Sequence, residues 1–116
     1  TSRTPHLDNP IEIYAGLLYM KHPNDTGTGG DFQIHHSQGT VTEVNKTLGR
    51  QVNNSNDGGI ASTVPYKRNT FAMFLNVSNA IHGVSLRQNP TQWRRSVNII
   101  GEFKRGAGKM WSVREL

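Results

Sequence analysis

Residues 11–20 read IEIYAGLLYM, and the alternation in this stretch decides the fold class. Apolar side chains recur at every second position and share one face of an extended strand: Ile11, Ile13, Ala15, Leu17 and Tyr19. The segment that follows, HPNDTGTGG, is rich in residues that favour turns. A buried β-strand is therefore predicted, and no part of the sequence shows a convincing helical period of 3.6 residues.

Strand patterns continue on the C-terminal side of this segment. Short alternating stretches predict further strands at residues 31–35, 40–44, 69–76, 80–86 and 94–103. Residues 45–59 carry few apolar side chains and are predicted to form a long polar excursion. About six short, mostly antiparallel strands indicate an all-β fold, and we expect a jelly-roll sandwich.

The composition narrows the class of protein further. The chain has 116 residues, which is enough for one domain (1–116) with a modest core, and hydrophobic residues make up 34% of it. No apolar run approaches the roughly 18 residues of a membrane span. Cysteine is absent, so a metal would be held by nitrogen and oxygen ligands, and we expect a cytoplasmic, reducing location without membrane association.

The charge of the chain raises nucleic-acid binding as an alternative function. The net charge is +5 and the pI is about 10.0. The cations occur in scattered pairs rather than in one stripe: Lys67-Arg68, Arg94-Arg95 and Lys104-Arg105. A solvated basic surface is therefore favoured over a nucleic-acid partner.

Three side chains distant in the sequence form a candidate metal site. His6 and Asp8 are two residues apart, so on an extended segment their side chains point the same way. His82 lies 76 residues later and joins them only if the fold brings its strand alongside. Each residue alone is better explained as a core histidine or a polar tail. Together they supply the two imidazoles and one carboxylate of the facial triad that binds Fe(II) and leaves coordination positions open.

Arg94 is the candidate for holding an anionic cosubstrate beside that metal. It shares one face of its predicted strand with Ser96, and a guanidinium with a neighbouring hydroxyl can bind a carboxylate. Tyr19 could add a phenol donor, although core packing explains it equally well. Arg95 is the alternative, because a one-residue change of register exchanges the two faces. Arg94 is preferred, since Val97 and Ile99 then form an apolar face directed away from the metal.

These residues resemble the Fe(II)- and 2-oxoglutarate-dependent dioxygenases, and among them the prolyl-hydroxylase-like group. The resemblance covers nearly the whole chain, with residues 37–62 matched least. It is carried by six segments: HLDNP (6–10), LLYMK (17–21), GGDF (29–32), VPYKRNTFAMF (64–74), IHGV (81–84) and RRSV (94–97).

The resemblance implies a cupin-like double-stranded β-helix, that is, a jelly roll. It implies that His6, Asp8 and His82 ligate Fe(II), and that Arg94, Ser96 and Tyr19 bind the distal carboxylate of 2-oxoglutarate. The reaction would consume molecular oxygen, hydroxylate a C–H bond of a small-molecule or peptidyl substrate, and release succinate and CO2. No further catalytic residue is implied beyond the metal ligands.

The chain departs from the family pattern at two places. Arg94 lies further from His82 than is usual, so a turn near residues 88–90 must be accommodated. The strand and helices that normally precede H-x-D are absent, so we expect either the C-terminal catalytic core of a longer protein or a homo-oligomer that completes its sheet. A cupin-like metal-binding or inactive binding module therefore remains an alternative function.

Overall fold

The computed structural model describes residues 3–36, 41–45, 49–52 and 59–111. Within these ranges the chain is all-β, and its nine strands are β1 (Arg3–Leu7), β2 (Glu12–Tyr19), β3 (Phe32–His35), β4 (Val41–Asn45), β5 (Gly49–Val52), β6 (Ile60–Val64), β7 (Thr70–Leu75), β8 (His82–Val84) and β9 (Ser96–Glu102). No helix in these ranges is long and apolar enough to cross a membrane.

The strands form two antiparallel sheets. One has six strands in the order β4-β5-β1-β8-β3-β6, and the other has three in the order β7-β2-β9. The strand predicted from IEIYAGLLYM is β2, the centre of the smaller sheet, where it pairs with both neighbours. The all-β prediction is confirmed, and two such sheets are compatible with a β-sandwich.

About six strands were predicted from the sequence, and the described residues form nine. The predicted strands at 31–35, 40–44, 69–76, 80–86 and 94–103 correspond to β3, β4, β7, β8 and β9, with shifted ends. The prediction of a polar excursion at 45–59 is wrong for Gly49–Val52, because β5 pairs there with both β1 and β4. The rest of that stretch, at 46–48 and 53–58, lies outside the described residues.

The main core lies between the sheets. This inter-sheet cluster consists of Tyr19 and Ala72 from the smaller sheet, Phe32 from the larger sheet, and Tyr66 from the loop after β6. Leu17, Ile34, Val64 and Phe74 pack around it. The cluster fixes how the two sheets face each other, and burial of its aromatic rings supplies much of the hydrophobic stabilisation.

A second, smaller cluster lies behind the larger sheet. Leu7, Ile81 and Trp111 are each at most 4% exposed and pack together in this back cluster. Leu7 alternates with His6 along β1, so the back cluster occupies the opposite face of that strand from the candidate metal ligands.

The other face of the three-stranded sheet is apolar and open to solvent. Its half-exposed side chains come from β7 (Phe71, Met73 and Leu75) and from β9 (Val97 and Ile99). We call this surface the outer face. Two strand glycines lie under aromatic rings here, since Phe71 covers Gly16 and Tyr14 covers Gly101. A side chain at either glycine would collide with the ring above it.

Candidate active site

Strand pairing brings the two distant histidines together. β1 and β8 are antiparallel neighbours in the larger sheet, and His6 and His82 lie directly opposite each other. Cross-strand partners point to the same face, so both imidazoles turn toward the space between the sheets. Asp8 follows β1 two residues after His6 and reaches the same face.

The ligand atoms of the three residues converge on one point. His6 Nε2 lies 3.3 Å from Asp8 Oδ1, and His82 Nε2 lies 3.5 Å from Asp8 Oδ2. One donor atom from each residue lies within 4.8 Å of the others. Ligands at about 2.1 Å from a metal lie about 3 Å apart when they occupy adjacent coordination positions. The spacing of this buried group therefore fits a metal ion.

A backbone contact orients the His82 ring. Its Nδ1 lies 2.8 Å from the carbonyl oxygen of Ala80. A carbonyl only accepts hydrogen bonds, so Nδ1 carries a proton, and Nε2 is the ring nitrogen directed at Asp8. Metal-binding histidines are commonly oriented by such a contact, which fixes the ring and raises the basicity of the ligating nitrogen.

Asp8 is held in its charged form. Burial opposes its ionisation, but hydrogen bonds and positive charge from His6 and His82 outweigh burial and place the pKa of Asp8 well below its usual range. The site thus combines an anionic oxygen ligand with two imidazoles, which is a hard, mixed oxygen and nitrogen donor set suited to a divalent ion.

Buried polar contacts secure the turn that follows Asp8. Asn76 is 1% exposed, and its Nδ2 donates to the carbonyl oxygens of Asn9 (2.8 Å) and Glu12 (2.9 Å). Trp111 Nε1 donates to Asn76 Oδ1 at 3.4 Å. The sequence analysis did not find these residues, because nothing in the pattern separates Asn76 from the many surface asparagines.

Tyr19 and Arg94 meet at a second polar position. The guanidinium carbon of Arg94 lies 5.0 Å from the centre of the Tyr19 ring, and Arg94 Nε donates to the Gly30 carbonyl oxygen at 3.0 Å. Arg94 Nη2 and the Tyr19 hydroxyl are both buried and have no hydrogen-bond partner in the described part of the chain. Burial raises the pKa of Tyr19 while Arg94 opposes the shift, so the phenol stays protonated and can donate.

The neighbours of Arg94 point elsewhere. Arg95 is exposed, and its Nε donates to the Met20 carbonyl oxygen at 3.0 Å. Ser96 lies opposite Tyr19 across the β2–β9 pair, but it is exposed and its hydroxyl donates to Asn98 Oδ1 at 3.4 Å. Of the two arginines, Arg94 is therefore the one that lies beside Tyr19, and Ser96 borders the position from the same sheet face.

Two phenylalanines lie between His82 and the Tyr19–Arg94 pair. The Phe74 ring lies 4.3 Å from the His82 ring and the Phe32 ring 5.6 Å from it, measured between centroids. Phe32 and Phe74 stack on each other at 5.3 Å, and Phe32 belongs to the same cluster as Tyr19. An apolar wall therefore runs from the candidate metal ligands toward Tyr19.

A search of protein-family models, curated proteins and solved structures finds no match to this chain.

Proposed function

We propose that this chain is an Fe(II)- and 2-oxoglutarate-dependent oxygenase that hydroxylates a C–H bond of a small-molecule or peptidyl substrate. Its two sheets would be those of a double-stranded β-helix. The observation that carries the proposal is the convergence of His6, Asp8 and His82, whose donor atoms come from two paired strands and lie within 4.8 Å.

The donor set supports the choice of metal. Two imidazoles and one carboxylate leave coordination positions open for a bidentate cosubstrate and for oxygen. Bound iron would supply the redox chemistry that couples the decarboxylation of 2-oxoglutarate to hydroxylation. The chain itself keeps Asp8 ionised and directs Nε2 of His82 at it.

The charges near Tyr19 support a carboxylate ligand. Lys21, Arg87 and Arg94 surround the inter-sheet tyrosines, and two carboxylates, Asp25 and Asp31, lie among them. The three cations and two carboxylates of this group therefore have a net charge of +1. Arg94 is half-buried and its Nη2 is fully buried, so an anion beside it would be stabilising. Arg94 Nη2 and the Tyr19 hydroxyl would donate to the distal carboxylate of 2-oxoglutarate.

The phenylalanine wall supports the same orientation. Phe32 and Phe74 contact His82 and continue toward Tyr19, so the methylene groups of a five-carbon diacid would lie against apolar rings. Such a wall keeps water away from the metal side of the site, which strengthens each charged contact there.

Separate binding and turnover measurements test the proposal. Co(II) absorption reports metal binding, calorimetry with Mn(II) reports 2-oxoglutarate binding, and succinate formation with Fe(II) reports turnover. We expect His82→Ala to abolish metal binding, and Arg94→Gln to weaken 2-oxoglutarate binding at least tenfold while metal affinity changes less than twofold. Arg95→Gln is the matched control and should leave both affinities near wild type.

Three outcomes would contradict the proposal. If the wild-type protein binds metal but neither binds 2-oxoglutarate nor forms succinate, the chain is a metal-binding module without this chemistry. If Arg95→Gln weakens 2-oxoglutarate binding and Arg94→Gln does not, the cosubstrate position is misassigned. Salt-sensitive nucleic-acid binding that survives His82→Ala would support the alternative of a nucleic-acid-binding domain.

A further inference from the structure

A second buried tyrosine, Tyr66, packs against Tyr19. It follows Pro65 in the loop after β6 and is 3% exposed. Its backbone N–H donates to Asp31 Oδ1 at 2.7 Å, which fixes the loop beneath the ring. The ring meets Tyr19 edge-on, with 5.3 Å between the centroids.

The Tyr66 ring is a platform for cations. The Arg94 guanidinium carbon lies 5.1 Å from its centroid, the Arg87 guanidinium carbon 5.2 Å, and Lys21 Nζ 5.9 Å. Arg87 is neutralised by its ion pair with Asp25, and Lys21 Nζ donates to the Gly27 carbonyl oxygen at 2.9 Å. Arg94 is thus the cation on this platform with a buried nitrogen, Nη2, left to bind a ligand.

The orientation of Arg94 follows from three contacts. Its guanidinium lies near both the Tyr19 and the Tyr66 rings, at 5.0 and 5.1 Å, and its Nε is tied to the Gly30 carbonyl oxygen. These contacts prevent the planar group from rotating freely, so Nη2 remains directed into the buried position beside the Tyr19 hydroxyl. Removing the Tyr66 ring would release one side of the guanidinium.

The hydroxyl of Tyr66 has a separate role at the next residue. It accepts a hydrogen bond from the Arg95 backbone N–H at 2.7 Å, and the Arg95 carbonyl oxygen accepts from the Met20 N–H at 3.0 Å. These two bonds fix the peptide on each side of Arg95 just before β9 begins. The side chain of Arg94 then faces inward while that of Arg95 faces solvent.

We propose that Tyr66 is a positioning residue for the cosubstrate carboxylate, with its ring orienting the Arg94 guanidinium and its hydroxyl setting the register of Arg94 and Arg95. The inference rests on the proposed function, because it assigns Arg94 to 2-oxoglutarate. In this role Tyr66 acts through Arg94 and not on the metal.

The test separates ring from hydroxyl with Tyr66→Phe and Tyr66→Leu. We expect Tyr66→Leu to weaken 2-oxoglutarate binding to the Mn(II)-loaded protein at least tenfold, and Tyr66→Phe to weaken it only a few-fold, with Co(II) affinity changed less than twofold in both. In steady-state assays the KM for 2-oxoglutarate should rise while kcat at saturating cosubstrate changes little. Tyr14→Leu, on the outer face, is the matched control.

A second readout does not depend on activity. The NMR signal of the Arg94 Nε–H group should be displaced by ring currents from Tyr19 and Tyr66, and Arg94→Lys identifies that signal. The displacement should persist in Tyr66→Phe and diminish in Tyr66→Leu. It reports the orientation of the guanidinium in the protein without cosubstrate.

The outcomes distinguish this inference from the proposed function. Wild-type protein that fails to bind 2-oxoglutarate overturns both. Wild-type binding together with unchanged affinity and an unchanged Arg94 signal in Tyr66→Leu overturns the role of Tyr66 alone. A parallel loss of Co(II) and 2-oxoglutarate affinity in Tyr66→Leu also overturns it, because the residue would then support the fold in general.

Discussion

Asn76→Ala should be among the most destabilising single substitutions in this chain. The side chain is almost fully buried and donates to the carbonyl oxygens of Asn9 and Glu12 while accepting from Trp111 Nε1. Its removal takes one hydrogen bond from each of two carbonyl oxygens and the acceptor from Trp111 Nε1, although the Asn9 carbonyl keeps its bond from the Glu12 N–H at 2.9 Å. A buried polar group that loses its partner costs about 1–3 kcal/mol, and the bond from Trp111 is long, so we expect a total of about 3 kcal/mol.

That loss is large beside the stability of a small domain, which is on the order of 5–15 kcal/mol. For a chain of this size it corresponds to a fall in Tm of about 12 °C. Urea unfolding followed by circular dichroism gives the free energy directly. Asn79→Ala is the control. Asn79 is exposed in the turn between β7 and β8, so its removal should change stability by about 0.5 kcal/mol or less.

The same substitution should also weaken metal binding. Asn76 holds the carbonyl group of Asn9, the residue that follows the candidate ligand Asp8. We therefore expect the Co(II) affinity of Asn76→Ala to fall under conditions in which the variant is still folded. If Asn76→Ala lowers the free energy of unfolding by no more than Asn79→Ala does, these buried contacts do not secure the turn.

Three further predictions concern other contacts. Desolvation alone would raise the pKa of Asp25. Hydrogen bonds from the Gly27 and Thr91 N–H groups and the ion pair with Arg87 outweigh it and lower the pKa from 3.8 to about 2. The stabilisation from these contacts is therefore present above pH 4 and is lost as the pH falls toward 2. Acid unfolding of Asp25→Asn should lack that component. Gly30→Ala should weaken 2-oxoglutarate binding, measured by calorimetry. The φ of Gly30 is +77°, and an added Cβ would lie 2.5 Å from Arg87 Cδ and 3.1 Å from Arg94 Nε, so both arginine side chains would have to move. Unchanged affinity would contradict this. Met73→Lys should lower the free energy of unfolding in urea by less than about 1 kcal/mol, because the Met73 side chain is 60% exposed. Ala72→Lys, at a buried position, is the comparison. An equally large loss in both variants would show that the outer face is covered.

The strands with one buried apolar face could be predicted from the sequence. The alternation in β2 is produced by burial of Ala15, Leu17 and Tyr19 against the other sheet, so the pattern and the structure agree there. β6 is different, because it is an edge strand whose side chains are mostly exposed. Its pairing depends on backbone hydrogen bonds, which leave little trace in the side-chain pattern.

The candidate site was predictable only in part for a similar reason. His6, Asp8 and His82 carry a recognisable ligand pattern, and the β1–β8 register brings them together. Tyr66 and Asn76 act through contacts with residues far away in the sequence, at Arg95 and at Asn9. Such contacts depend on the tertiary structure, and neither residue belongs to a motif that would reveal them.

The outer face has a consequence for how the isolated chain behaves in solution. Five half-exposed apolar side chains on two strands form an apolar surface on this face of the sheet. Soluble monomers seldom present large apolar patches. The chain should bind environment-sensitive dyes even when fully native. Dye fluorescence, often taken as a sign of partial unfolding, would therefore report this folded sheet surface instead.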